Sequence, residues 1–202
     1  MIIKSPDTIK VFAQKKEKNK KLRIHIDIDG VLSDWDRAAA KTCNIDIKDE
    51  KIRKEMKEGK DIDDIIGKNK IWKLIDKEGE DWWVNLDKFE WADNLVKLIS
   101  EKTENFCFLT SPSDNPLCAS GKLKWIKKHF PKYSRKIIIT PQKYMCATPD
   151  SILIDDSKKK TDKFQEFGGS VFLWPHSLKI IDKDIKIEDV LSDLSETIDK
   201  IG

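Results

Sequence analysis

The chain carries five short runs rich in β-favouring residues, 22–28, 106–110, 136–140, 151–154 and 170–174, and each stops at or beside a polar or turn residue. Between the later runs, 117–130 and 158–167 have the apolar spacing of helices. Strands that alternate with helices have one economical solution, a parallel sheet whose faces are covered by the helices that connect its strands. The expected class is therefore α/β, with a parallel sheet of about five strands flanked by helices.

The interval after the first run breaks this alternation. From Asp34 to about Lys102 no strand is evident, whereas 48–59 (KDEKIRKEMKEG), 68–79 (KNKIWKLIDKEG) and 91–102 (WADNLVKLISEK) read as amphipathic helices, two of them closed by a glycine. Residues 35–89 are expected to form a helical cap inserted after strand one, leaving 22–34 and 90–177 as the core. The tail places Ile187, Val190, Leu191, Leu194, Ile198 and Ile201 at helical spacing, and 178–202 is expected to be a C-terminal helix packed on that core. Residues 1–21 hold the lysine-rich run KKEKNKK and read as a basic, solvated arm.

Charged residues make up 37% of the chain, yet 39 basic against 36 acidic side chains nearly cancel, so net charge alone does not indicate a nucleic-acid binder. Cys43, Cys107, Cys118 and Cys146 are scattered without a C-x-x-C spacing, which suits a reducing compartment. No apolar run approaches the roughly 20 residues of a membrane span, and the opening MIIKSPDTIK has no signal-peptide core. A soluble, cytoplasmic protein is the expectation.

Chemistry enters at the strand ends, where ligands of open α/β sheets bind. The first run leads into Asp27-Ile28-Asp29-Gly30, the second ends in Thr110-Ser111, the third leads to Lys143, and the fourth ends in Asp155-Asp156. An EF-hand does not explain the first: its fifth and sixth positions would be Val31 and Leu32, and a strand rather than a helix precedes it. A single acidic pair is compatible with plain surface, but two apolar strands that both end in paired acids crowd like charges together if the strands are neighbours. A hard, oxygen-liganded cation such as Mg²⁺ relieves that crowding and retains positions for water and phosphate oxygens, while the lack of a His or Cys cluster disfavours zinc. Thr110, Ser111 and Lys143 supply the hydroxyls and cation that a phosphoryl group needs.

These four stations, in this order, resemble the four motifs of the haloacid dehalogenase superfamily of phosphatases, whose fold is a Rossmann-like sheet; the likeness spans about residues 22–175. Within it, LTSPS, the spacing of Cys118, Lys122 and Trp125, then IIITPQK and SILIDD look like the 5'(3')-deoxyribonucleotidase branch and related small phage and bacterial phosphatases. The resemblance implies a Mg²⁺-dependent phosphomonoesterase acting on a (deoxy)nucleoside monophosphate. Asp27 would be the nucleophile, and Asp29 would protonate the leaving oxygen and then activate water. The metal would be held by Asp27, the backbone carbonyl of Asp29 and Asp155, with Asp156 in support or in exchanged order. Gly30 would let the chain bend after Asp29. Thr110 and Ser111 would bind phosphate; Lys143 is the first choice as phosphate lysine and Lys122 the second.

Trp35, just past Asp34, is the stacking candidate for a base, and Asp34 itself is expected to cap the first helix. Trp72 has the spacing of a helix core face, and only one of Trp82 and Trp83 can turn inward. His25, His129 and His176 are read as structural. Two other classes stand beside the nucleotidase: a phosphatase of nucleic-acid ends, which the basic arm would serve, and a non-catalytic binding module on the same fold.

Overall fold

The computed structural model describes residues 21–202, so the basic arm lies outside the described residues but for Lys21. The five strands are β1 (Arg23–Ile26), β2 (Phe106–Thr110), β3 (Ile137–Ile139), β4 (Ser151–Asp155) and β5 (Ser170–Leu173). They form one all-parallel sheet in the order β3-β2-β1-β4-β5. The chain builds outward from β1 to β3 and then returns to the other side of β1 for β4. The strand order thus reverses between β1 and β4, the position at which doubly wound sheets open a crevice for ligands. Ile26 sits level with both Phe108 and Ile154, so the ends of the three central strands arrive together.

The first strand is shorter than its apolar run. Asp27 still donates its N–H to Ile154 O at 2.9 Å, but the N–H groups of Leu32 and Ser33 then return to Ile28 O at 2.8 Å, and this tight loop withdraws residues 27 and 28 from the ladder. β3 and β5 likewise stop a residue short of their expected C-terminal ends, whereas β4 extends to include Asp155.

Helices α1 (Trp35–Thr42), α2 (Glu50–Lys57), α3 (Ile62–Ile66), α4 (Lys68–Glu78) and α5 (Glu80–Val84) follow β1, and α6 (Ala92–Lys102) leads into β2. The periodic segments correspond to α2, α4 and α6; α3 and α5, five residues each, carry too few turns to show a period, and α1 has no counterpart among those segments. Asp34 caps α1 by accepting from Arg37 N–H at 3.2 Å. After β2 come α7 (Pro116–His129), started by Asn115 accepting from Leu117 N–H and by Pro116 in the first turn, and α8 (Lys158–Glu166) after β4.

The tail is not one helix. α9 (Ser177–Ile181) and α10 (Ile187–Ile201) are separated by Lys183, whose φ of 62° lies in the left-handed region and ends the first of them. α10 buries Val190, Leu194 and Ile198.

A single hydrophobic cluster joins Ile24, Ile26 and Ile154 of the sheet to Met56, Ile71, Ile75 and Trp83 of the helical insertion. The insertion is therefore anchored on the core. α5 lies against α7 because Gly121 has no side chain: a Cβ there would stand 2.5 Å from Trp83 Cβ and 2.9 Å from Glu80 O. Trp83 is buried and Trp82 half-buried, so one ring of the pair turns inward. Trp72 is half-buried on the same cluster.

Candidate active site

The loop after β1 is held from below. Trp91 donates its indole N–H to Val31 O at 2.9 Å, and Phe89 and Asp34 exchange backbone hydrogen bonds with Leu32 and Asp87. Within the loop Gly30 adopts a φ of 77°, and a Cβ at that position would stand 1.8 Å from Asp156 Oδ2. Glycine is required here twice, for the backbone angle and for the carboxylate that leans over it.

On the β4 side, carboxylate oxygens of Asp27, Asp155 and Asp156 lie within 4.8 Å of one another. Asp27 and Asp155 are buried, at 1% and 0% exposure. Lys143, on a single 3-10 turn (Lys143–Cys146), is as deeply buried and joins them, its Nζ at 2.7 Å from Asp27 Oδ1 and 2.6 Å from Asp155 Oδ2. Asp27 also accepts from Ile28 N–H at 2.8 Å, and Asp155 from Ser157 N–H at 2.9 Å. Burial acts to raise the pKa of Asp27, but Lys143, Lys160 and Lys122 outweigh it and hold the carboxyl below its ordinary range. Asp155 and Asp156 go the other way: burial, then the neighbouring carboxylates, push both up, Asp156 the further.

The β2 side is balanced differently. Lys122, from α7 and buried, donates to Asp29 Oδ2, to Thr110 Oγ1 at 2.9 Å and to Ser111 O at 2.6 Å. Its Nζ also stands 5.1 Å over the Trp83 ring. Asp29 accepts further from Ser33 Oγ at 3.2 Å. Every donor of the ammonium is matched, and one lysine ties the strand-one loop to the end of β2.

The trio on the β4 side suits a hard divalent cation. Its donors are all carboxylate oxygens, two of the residues are almost wholly removed from water, and the crowding that raises Asp155 and Asp156 is the crowding a cation relieves. Asp29 contributes no carboxylate to the trio, since its side chain faces Lys122.

Among the residues singled out in the sequence, Asp27, Asp29, Gly30, Thr110, Ser111, Lys122, Lys143, Asp155 and Asp156 come together at these strand ends. Trp35 packs its ring on Trp72 at 5.7 Å and on Trp82 at 6.3 Å between centroids. His25 is buried beside Cys107 Sγ at 3.1 Å, with its pKa lowered to about 4 by burial; His129 lies against Trp125, and His176 caps α9. A cavity of about 530 Å³ lined by Arg23, His25, Phe106, Cys107 and Asp150 lies at the opposite, starting edge of the strands, away from the converging acids.

Two residues escaped the sequence reading. Lys160 on the first turn of α8 places Nζ 3.4 Å from Asp27 Oδ2 and 3.9 Å from Asp155 Oδ1. Asp36 on α1 faces His176 Nε2 at 3.4 Å, and burial, then Asp34, Asp61, Asp29 and Asp63, push its pKa up to about 7. The position of Lys160 within one helical turn of an acid-terminated strand was a usable signal, hidden by its place in a run of three lysines. Asp36 carried none.

The model of the family described as 5' nucleotidase, deoxy (pyrimidine), cytosolic type C protein matches residues 20–193. The chain belongs to this family. It is a phosphatase of the haloacid dehalogenase superfamily near the nucleotidase branch. No curated protein matches this nucleotidase-family chain. Among solved structures it is similar to a haloacid dehalogenase family hydrolase from Deinococcus radiodurans with bound phosphate and sodium, at 11% identity and a TM-score of 0.49 over 76% of this chain and 80% of that one. It is also similar to a family enzyme from Bacteroides thetaiotaomicron in complex with magnesium and inorganic phosphate, at 17% identity and a TM-score of 0.43 over 77% and 95% of the two chains. Among the described residues no helix is long and apolar enough to cross a membrane.

Proposed function

We propose that this family member hydrolyses nucleoside 5'- or 3'-monophosphates, deoxynucleotides first among them, through an aspartyl-phosphate on Asp27 and with Mg²⁺ held by Asp27, Asp155, Asp156 and the backbone carbonyl of Asp29. The observation that carries this reading is the meeting of Asp27, Asp155 and Asp156 at the switch point of the sheet, with Lys143 on one side and the Lys122–Thr110 pair on the other. The family match to a nucleotidase supports the substrate class.

In the first half-reaction a carboxylate oxygen of Asp27 forms a bond to phosphorus while the bond from phosphorus to the nucleoside oxygen breaks, and Asp29 delivers a proton to that departing oxygen. In the second, Asp29 takes a proton from water as the water oxygen bonds to phosphorus and the Asp27–phosphorus bond breaks, which releases inorganic phosphate and restores the Asp27 carboxylate and the Asp29 carboxylic acid. The lowered pKa of Asp27 keeps it ionised and ready to attack. Thr110 and Lys122 orient phosphate oxygens, and Lys143 holds Asp27 in place. A bound Mg²⁺ supplies positive charge to the phosphoryl oxygens as charge develops on them.

Residues 35–89, with helices α1–α5, serve as the cap, and Trp35 offers the aromatic face for a base. Phosphate release from a panel of 5'- and 3'-nucleotides, sugar phosphates and 5'-phosphorylated oligonucleotides tests the substrate class. Asp27→Asn is expected to lose about 10⁴-fold or more in kcat, in line with the loss of a covalent nucleophile. Undiminished turnover by Asp27→Asn ends the covalent mechanism, and release from oligonucleotide ends alone ends the nucleotidase assignment.

A further inference from the structure

Lys160 forms and breaks no bond in the chemistry just described, yet it points at the centre of it. Asp27 and Asp155 each divide their two oxygens between two lysines. Asp27 Oδ1 and Asp155 Oδ2 face Lys143 at 2.7 and 2.6 Å, whereas Asp27 Oδ2 and Asp155 Oδ1 face Lys160 at 3.4 and 3.9 Å. The two ammonium groups are not equivalent. Lys143 is 2% exposed and within hydrogen-bonding distance; Lys160 is 38% exposed, stands further off, and reaches in from the first turn of a surface helix. One is built into the core and the other can swing out into water.

With the three carboxylates of the trio ionised, Lys143 leaves two negative charges uncompensated, the charge of one divalent cation. Lys160 covers one of the two from the side that Lys143 leaves open. An oxygen-bound Mg²⁺ sits about 2.0–2.1 Å from its ligands, closer than an ammonium at these distances, and it carries twice the charge.

We propose that Lys160 is a tethered counter-ion that stands at the cation position of the Asp27–Asp155–Asp156 trio when Mg²⁺ is absent and is displaced when Mg²⁺ binds. The inference rests on the metal reading of the site given above. Its consequence is a metal affinity weaker than the trio alone would have, together with a metal-free protein that keeps its acids from repelling the strand ends apart.

Isothermal titration calorimetry of the full chain with Mg²⁺ alone tests this. Lys160→Met is expected to bind Mg²⁺ about tenfold more tightly than the parent, since a competing positive charge a few ångströms from the ion is gone. Lys160→Gln should do the same with a polar stem, and Lys160→Arg should stay near the parent. Lys159→Met, which removes the same charge from the neighbouring exposed position, is expected to change the affinity less than twofold. Melting in chelator should show Lys160→Met below the parent, with the gap closing in saturating Mg²⁺. Equal or weaker Mg²⁺ binding by Lys160→Met overturns the proposal, as does an equal gain in Lys159→Met, which would mean a general field and not displacement. If neither the parent nor Lys160→Met binds Mg²⁺, the metal reading itself falls and this inference with it.

Discussion

The two flanks of β1 are built from the same residue types and reach opposite electrostatic states. Toward β2, one buried lysine meets Asp29, Thr110 and Ser111, and its donors are all matched. Toward β4, three carboxylates share Lys143 and the looser Lys160, and the unrelieved charge appears as raised pKa values at Asp155 and Asp156. A lysine whose donors are all matched holds geometry; carboxylates left short of positive charge suit a cation. The difference lets the proposed phosphate cradle and the proposed metal site occupy one strand end without one collapsing onto the other.

Replacing the two buried lysines is the strongest way to break this contrast. Lys143→Met should cost about 3–5 kcal/mol of stability in chelator, because two buried carboxylates lose their partner, and saturating Mg²⁺ should restore much of it. Lys122→Met should lower kcat by about 10²–10³-fold through the phosphate cradle, with no such recovery of stability by metal. Thermal melts with and without Mg²⁺ separate the two; equal recovery of both variants would mean that the flanks are not distinct.

Gly121→Ala probes the β2 flank through packing. The added methyl meets Trp83 Cβ and Glu80 O, so α7, which carries Lys122 at the next position, must move away from α5. A loss toward the upper end of the roughly 1–3 kcal/mol typical of overpacking is expected, with a rise in KM. A melt unchanged from the parent would show that the two helices have slack.

Asp36 tests the β4 flank by pH, since its charge adds to the field that raises Asp156. Its pKa is about 7 in the fold against an ordinary 3.8, so the folded protein retains a proton that the unfolded chain releases. Its contribution to stability is therefore lost as pH rises from about 4 to 7. His176 has the opposite sign: burial lowers it from 6.5 to about 4, and stability is gained as pH rises through that window. Asp36→Asn removes the falling contribution alone. Relative to the parent it should gain about 2 kcal/mol between pH 5 and pH 8, read from denaturant melts at the two pH values. A constant difference across that range would show that Asp36 is ionised throughout.

Much of this could be read in one dimension because strand ends announce themselves. Asp27 and Asp155 each follow an apolar run, and a carboxylate in that place has few structural uses. The parallel sheet followed from alternation, and Asp34 as a cap from its position before a helix. What stayed hidden was of two kinds. Short helices α3 and α5 have no measurable period, and the break at Lys183 that splits the tail into α9 and α10 needs a left-handed backbone that lysine does not advertise. Partners were hidden too: Lys122 looked like a second choice for phosphate, and its three ligands come from a loop and a strand that sequence distance keeps far apart.

Read along the chain alone, the residues yield the class of fold and the order of the four stations, acid, hydroxyl, lysine and acid, because hydrophobic period is a local property of a chain. How the charges divide emerges only on folding. Which lysine faces which carboxylate oxygen, whether Lys160 reaches the site or solvent, and how far burial lifts Asp36 and Asp156 all depend on distances and on exclusion of water, and both arise only when β4 has closed against β1 and the helices have packed over them.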